Sequence, residues 1–337
     1  MSGAARTTES ATGLVDTSRL TLDDFRTADP AMLRCLELAR AACRTDLPML
    51  VLGESGTGKT LLARAIHNSS RRAGAPFVSF NAAALSDTLL DSQLFGHEKG
   101  AFTGAQKQVR GKFELAHGGT LFLDEIADMS PLAQAKILRA VEYGEFERLG
   151  SERLHRADVR LVSATHYSID RFSGSEQFRR DLFFRISGVT LTIPPLRERP
   201  RDLRELVGAS IVRAARQLGR EITSLSKPAA DALFTYPWPG NLRELDRVIL
   251  AAVALTRGEV IEEESVLLQR EPLSAPAGAA RPGAAAPVPA DGDLRLGAVE
   301  REHVRRVLAM VAGNKAQAAR VLGISRSRLE RKIAASK

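Results

Sequence analysis

The chain has 337 residues, 44% of them hydrophobic and 26% charged, with a net charge of +8. That length supports a large core plus a small second module, and the balance is that of a soluble globular protein. No basic segment precedes an apolar run, and no stretch nears the roughly twenty apolar residues of a membrane span, so a cytoplasmic location without secretion or membrane insertion is expected. Cys35 and Cys43 match no metal or redox spacing, and the six histidines are scattered; ordinary reduced cysteines and no zinc are expected.

In chain order, residues 1–20 are small and polar and read as a flexible leader. Residues 21–195 alternate strand and helix patterns, as an α/β nucleotide domain would. Met49 to Leu52 is a short buried strand running into Gly53-Glu54-Ser55-Gly56-Thr57-Gly58-Lys59-Thr60, and a helical pattern with Leu61, Leu62, Ala65 and Ile66 follows. Glycines let that loop curl its N–H groups toward phosphates, Lys59 can reach the β/γ oxygens, and Thr60 can ligate Mg²⁺. ATP and Mg²⁺ are therefore the expected ligands.

Gly100-Ala101-Phe102-Thr103-Gly104-Ala105 is an unusual insertion in such a domain. Its aromatic either folds back from a tight turn into the core or marks a surface built to grip a partner. Gly118 to Glu125 then reads as an apolar strand ending in two acids, which a parallel sheet would present at its ligand-binding carboxyl edge. Asp124 is expected to hold Mg²⁺ with Thr60, and Glu125 to polarise the attacking water.

Pro194-Pro195 ends the last strand, and residues 196–270 read as a helical lid with a turn at Trp238-Pro239-Gly240. Residues 271–293 are rich in Ala, Pro and Gly and read as a flexible linker. Residues 294–337 carry eleven basic and three acidic residues, which is the whole of the chain's excess charge. Such localisation points to a polyanion-binding module. A helix with Val304, Val307, Leu308 and Val311 ends at Gly313-Asn314; Lys315–Leu322 forms a second, Gly323 a turn, and Ser325 opens a third. This is a helix-turn-helix pattern, in which Ser325, Arg326, Ser327, Arg328, Arg331 and Lys332 are the expected contacts to double-stranded DNA, with a basic dimerisation bundle as the alternative.

With GESGTGKT, GHEKGAFTGA, ELAHGGTLFLDEI, FRRDLFFRI, PPLRERPRDL and WPGNLREL in view, the chain resembles the sigma-54-dependent transcriptional activators, the bacterial enhancer-binding proteins of the AAA+ superfamily. The tail resembles the Fis-type module many of them carry. The resemblance implies an AAA+ P-loop domain with a helical lid plus a small all-α helix-turn-helix domain. It assigns Asn81 to restraining the catalytic glutamate, Thr165 and His166 to the first sensor, Arg179 and Arg185 to arginine fingers, and Arg243 to the second sensor. On residues alone, Arg179, Arg180 and Arg185 read as a solvated basic cluster. Two departures stand out: Thr60 where the family usually has Glu, and no Ile-Gly pair in residues 25–32 to face adenine.

The implied activity is ATP-driven remodelling of sigma-54 RNA polymerase by the residue 100–105 loop, from enhancer DNA and within a ring, as a hexamer. A DNA-binding repressor that uses nucleotide only for assembly, and a general AAA+ remodeller, are the alternatives. Twenty leading residues cannot form the family's usual sensory domain. Control is then expected from a partner protein or related subunit in trans, or from expression level, and a shortened chain would look the same.

Overall fold

Four consecutive apolar side chains, Met49 to Leu52, are all buried, as a parallel strand covered on both faces requires. In the computed structural model the described residues are 17–83, 86–168, 178–268, 314–321, 324 and 329–331. The strands run β1 (Met49–Leu52), β2 (Phe77–Asn81), β3 (Gly96–His97), β4 (Val109–Arg110), β5 (Thr120–Asp124), β6 (Glu145–Glu147), β7 (Leu154–Arg156), β8 (Arg160–Thr165) and β9 (Val189–Thr192). A five-stranded parallel sheet has the order β2-β5-β8-β1-β9. Its register sets Asn81 beside Asp124 and Leu52 beside Thr165, gathering the polar residues at the strands' carboxyl ends.

Alternation along the strands makes two cores. Leu50, Leu52, Leu121, Leu123 and Leu161 face α3 (Asp87–Phe95), α5 (Pro131–Tyr143) and α6 (Arg180–Ile186), which follow α1 (Pro30–Ala42), α2 (Lys59–Asn68) and the short α4 (Lys112–Leu115). Met49, Val51, Phe122, Val162 and Leu191 face α1 and α2. Helix starts obey local chemistry: Asp29 accepts from Ala31 and Met32 N–H at 3.0 and 2.9 Å ahead of Pro30, and Ser130 caps α5 ahead of Pro131.

Beyond β9, the lid consists of α7 (Pro200–Leu218), α8 (Lys227–Thr235) and α9 (Asn241–Leu255), with a small parallel pair, β10 (Ser224–Leu225) and β11 (Val260–Ile261). The turn expected at Trp238 is present, but Trp238 is also the fully buried centre of the lid core, its indole N–H donating to Leu233 O at 3.0 Å. Asp202 at the start of α7 ties the lid to the segment before α1. It accepts from Thr27 Oγ1 (2.6 Å), Ala28 N (2.7 Å) and the Arg199 guanidinium (2.7 and 2.9 Å).

The chain divides into two compact units, Met1–Leu268 and Gln269–Lys337. In the second, α10 (Lys315–Val321) starts at Asn314, whose Oδ1 accepts from Gln317 N at 3.2 Å, and Ala318, Ala319 and Leu329 are buried. Arg331 is exposed, while Ser325, Arg326, Ser327, Arg328 and Lys332 lie outside the described residues, as do most of the leader and all of the linker. Among the described residues no helix is long and apolar enough to cross a membrane.

Burial would raise the Asp202 carboxyl, but the donors from Thr27, Ala28 and Arg199 outweigh it and hold the pKa below its usual 3.8. The stability this supplies is fully present above that usual value and is lost as pH falls through the depressed one. Asp202→Asn is expected to cost roughly 3 kcal/mol near neutral pH, because it leaves buried Arg199 without its counter-charge. Urea melts check this, and the gap between the two proteins should narrow as the melts are moved to acid pH.

Candidate nucleotide site and associated loops

The P-loop turns back on itself through Gly56 (φ +81°) and Gly58 (φ +100°), left-handed conformations that favour glycine. Thr57 Oγ1 closes the turn by donating to Glu54 O at 2.8 Å, and Gly53 N–H donates to Thr165 O at 3.3 Å. Helix α2 begins at Lys59, so its first N–H groups and positive dipole end face the cleft. Ser55, Gly56, Gly58, Lys59, Thr60 and Leu61 line that cleft from one side. Asp124 and Glu125 line it from the sheet, and Leu242, Arg243 and Asp246 from the lid.

Lys59 Nζ donates to Gly53 O at 2.8 Å and lies 3.5 Å from Glu125 Oε1. The other Glu125 oxygen accepts from His166, at 2.8 Å from Nδ1 and 3.2 Å from the backbone N–H. Glu125 itself has φ +53°, strained for a residue with a side chain and typical of a functional position. Asn81, expected to restrain Glu125, instead turns its Oδ1 to Ala83 N at 2.8 Å and caps the following turn. Its place opposite Asp124 keeps it beside the acids, but His166 is the residue that holds Glu125. The strand order puts β8 directly beside β5, so a histidine just past the end of β8 meets the Glu125 carboxylate.

The donors fit Mg²⁺. Thr60 and Asp124 offer hard oxygens, as that ion requires. Burial, and then the neighbouring Glu125 charge, hold the Asp124 carboxyl above its usual range, so adjacent positive charge would be favourable there. Glu125, Asp128 and His166 also bring donor atoms within 4.8 Å of one another, but an imidazole in the set suits a softer ion.

The lid rests directly on the P-loop. Leu242 N–H donates to Gly56 O at 3.0 Å, Asn241 Nδ2 to Ser55 O at 3.0 Å, and Arg243 Nη1 to Ser55 Oγ at 3.0 Å. A Cβ at Gly56 would lie 2.2 Å from Gly240 O. Glu54, expected to cradle phosphate with the rest of the loop, has its carboxylate bound by Arg197 at 2.7 and 2.8 Å and by Asn241 at 3.2 Å. The roles of Arg197 and Asn241 were not legible locally; both lie in the quoted motifs PPLRERPRDL and WPGNLREL, yet only Arg243 stands out there by analogy.

The GAFTGA segment closes as a turn: Gly100 N–H donates to Ala105 O at 2.8 Å, with Gly100 and Gly104 at φ +86° and +107°. Phe102 is half-buried, its ring edge-on to His97 at 5.0 Å, and exposed Thr103 occupies the tip. Of the two readings left open by the sequence, the ring folds back onto a neighbour without entering the core. Below the loop, Arg148 donates to Glu98 (2.9 Å) and twice to Glu114 (2.8 Å each), joining the β6–β7 hairpin to both sides of the loop's base. Arg179 and Arg185 are exposed and stay off the cleft of their own chain: Arg179 forks onto Asp181 at 2.7 and 3.1 Å, and Arg185 donates to Glu142 O at 3.2 Å.

Gly56→Ala is expected to lower stability by roughly 1–3 kcal/mol, since it meets a left-handed φ and a backbone clash at once. Gly74→Ala, with nothing within 4 Å of the added carbon, is the control and should stay within about 0.5 kcal/mol. Urea denaturation measures both.

Residues 25–192 match the Sigma-54 interaction domain, residues 197–278 the AAA+ ATPase lid domain, and residues 295–335 the bacterial regulatory protein, Fis family. The chain is 45% identical over 300 residues to the hydrogenase transcriptional regulatory protein HoxA of Cupriavidus necator, covering 88% of this chain and 62% of that protein. It is 43% identical over 304 residues to the transcriptional regulatory protein ZraR of Klebsiella oxytoca, covering 90% and 67%. Among solved structures, NtrX from Brucella abortus in complex with ATP superposes with a TM-score of 0.66 at 31% identity, over 94% of this chain and 70% of that one. The chain thus spans about two thirds of the length of these relatives. With the Sigma-54 interaction domain, the AAA+ lid and the Fis-family module matched in turn along it, the chain belongs to the sigma-54-dependent transcriptional regulators of the AAA+ class.

Proposed function

We propose that this chain hydrolyses ATP to drive the sigma-54 RNA polymerase closed complex to the open complex, gripping the sigma factor with Thr103 and Phe102 while its tail holds upstream enhancer DNA. The observation that carries this reading is the short path between the two sites. Glu125 and Asn81 stand at adjacent strand ends, and α3, beginning at Asp87, leads from Asn81 to the loop. A change at the γ-phosphate position has one helix to move before it reaches residues 100–105.

Lys59 and the N–H groups at the start of α2 bind the triphosphate and offset its charge. Thr60 and Asp124 would hold Mg²⁺, which when bound would supply positive charge to the phosphate oxygens. Glu125 orients the attacking water once it leaves His166 and Lys59, and Arg243 contacts the nucleotide from the lid. Because Arg179 and Arg185 lie off their own cleft, the reading gives them to a neighbour's site, which supports a ring and, by kinship, a hexamer. Arg326 and Arg328 read base edges, with Ser325, Ser327, Arg331 and Lys332 on phosphates. Binding that rests on such contacts weakens steeply with salt.

Three variants separate the parts. Lys59→Ala should lose nucleotide binding. Glu125→Gln should keep it but slow hydrolysis by roughly 10²- to 10⁴-fold. Thr103→Ala should hydrolyse ATP normally and fail to activate transcription from a sigma-54 promoter. Trapping with ADP and a metal fluoride should give a stable complex with sigma-54 that Thr103→Ala loses. An active chain that forms no such complex would point to a repressor or a general remodeller.

A further inference from the structure

Glutamate is an odd side chain to place second in a loop that must hold a polyanion. Unopposed, its charge would repel the phosphates the loop binds. Here the Glu54 carboxylate is taken up outside the cleft, by both arms of Arg197 at 2.7 and 2.8 Å and by Asn241 Nδ2 at 3.2 Å. The hydrogen bonds from Arg197, together with the one from Asn241, outweigh burial and hold the Glu54 carboxyl below its usual range, so it stays charged and committed to these partners.

Both partners sit where the lid meets the nucleotide domain. Arg197 lies in the single turn Leu196–Glu198, where the chain enters the lid after β9. Asn241 opens α9, the helix that carries Arg243 into the cleft. The Asn241 side chain also accepts from Leu196 N at 2.8 Å, so one amide spans the entry turn, the P-loop and α9. Asn241 is fully buried with φ +50°, while Arg197 and Glu54 remain about 40% exposed. A bidentate pair that open to water adds little to folding. Its place is what matters, because it joins the P-loop to the turn through which the chain enters the lid.

We infer that Glu54 and Arg197 form a positioning latch that sets the lid over the nucleotide cleft and turns the Glu54 charge away from the phosphates. This rests on reading the cleft as a nucleotide site. Removing Arg197 does two things at once: it loosens the lid and leaves an unopposed carboxylate beside the triphosphate. Removing the charge of Glu54 does only the first, and in part, because a glutamine can still accept from Arg197 and Asn241. The two residues should therefore not act additively, and the glutamine should repair some of the damage from losing the arginine.

The experiment is a double-mutant cycle on the full chain, with a fluorescent ADP analogue for affinity and steady-state ATPase for kcat and KM. Arg197→Ala is expected to weaken nucleotide affinity about three- to fivefold and to lower kcat, through displacement of Arg243. Glu54→Gln alone should weaken affinity about twofold or less. The pair together should bind better than Arg197→Ala, and Arg197→Lys, which keeps the charge but loses the fork, should fall between wild type and Arg197→Ala. Melting temperatures should move by less than about 2 °C.

Additive effects, or an Arg197→Ala protein with unchanged affinity and kcat, would overturn the latch while leaving the nucleotide site intact. A large fall in melting temperature that accounts for the lost affinity would reduce the pair to a structural role and overturn it too. A wild-type chain that binds no nucleotide would overturn the reading of the cleft and the latch with it.

Discussion

One close backbone approach governs the geometry of this protein: the P-loop at Gly56 lies against Gly240 with no room for a β-carbon between them. The contact requires glycine at position 56, whose added β-carbon would meet the Gly240 carbonyl oxygen, and Gly56 is held by the Leu242 N–H on its own carbonyl. From it follows the position of α9, and hence of Arg243, above the cleft. Asn241 and Asp202 then fix the lid at two further points, one on the P-loop side and one on the segment before α1. The nucleotide cleft is thus the seam between two layers, as ligand sites at α/β sheet edges usually are.

Charge at the seam is arranged so that each ion has a replaceable partner. Lys59 rests on loop carbonyls and near Glu125, and Glu125 is shared with His166. These are the groups a triphosphate and its cation would claim, so ligand binding amounts to an exchange of partners and needs no new pocket. Asp124 is already strained toward its neutral form by burial and by Glu125, which favours a cation beside it. By contrast, the buried Arg199–Asp202 pair has every acceptor occupied and serves only to hold the lid.

The loop side follows the same logic with stiffer parts. Arg148 grips Glu98 and Glu114 together, so the β6–β7 hairpin is tied to both sides of the base of the GAFTGA turn. Gly150 packs against Ala101 at the same junction, where an added β-carbon would come within 2.8 Å of the Ala101 side chain. Phe102 resting on His97 leaves Thr103 outermost, so a partner meeting this conformation touches the hydroxyl before the ring.

Local chemistry was enough to find the strand ahead of the P-loop, the P-loop itself and the acidic strand end, because each is a contiguous run whose pattern follows from burial or from phosphate geometry. It also located the basic tail, since charge is countable. Roles for the sensors and fingers came only as what the family resemblance implies, since no spacing could supply them. Tertiary structure decided the rest. Whether Phe102 stood free or folded back depended on His97, five residues away but across a turn. That Glu125 is held by His166 in this conformation depended on β8 lying beside β5. Glu54 read as part of the phosphate cradle, yet its partner Arg197 is 143 residues later in the chain. Pairings of that kind have no local signature: an arginine fork and a carboxylate meet only because the sheet order and the lid bring them together.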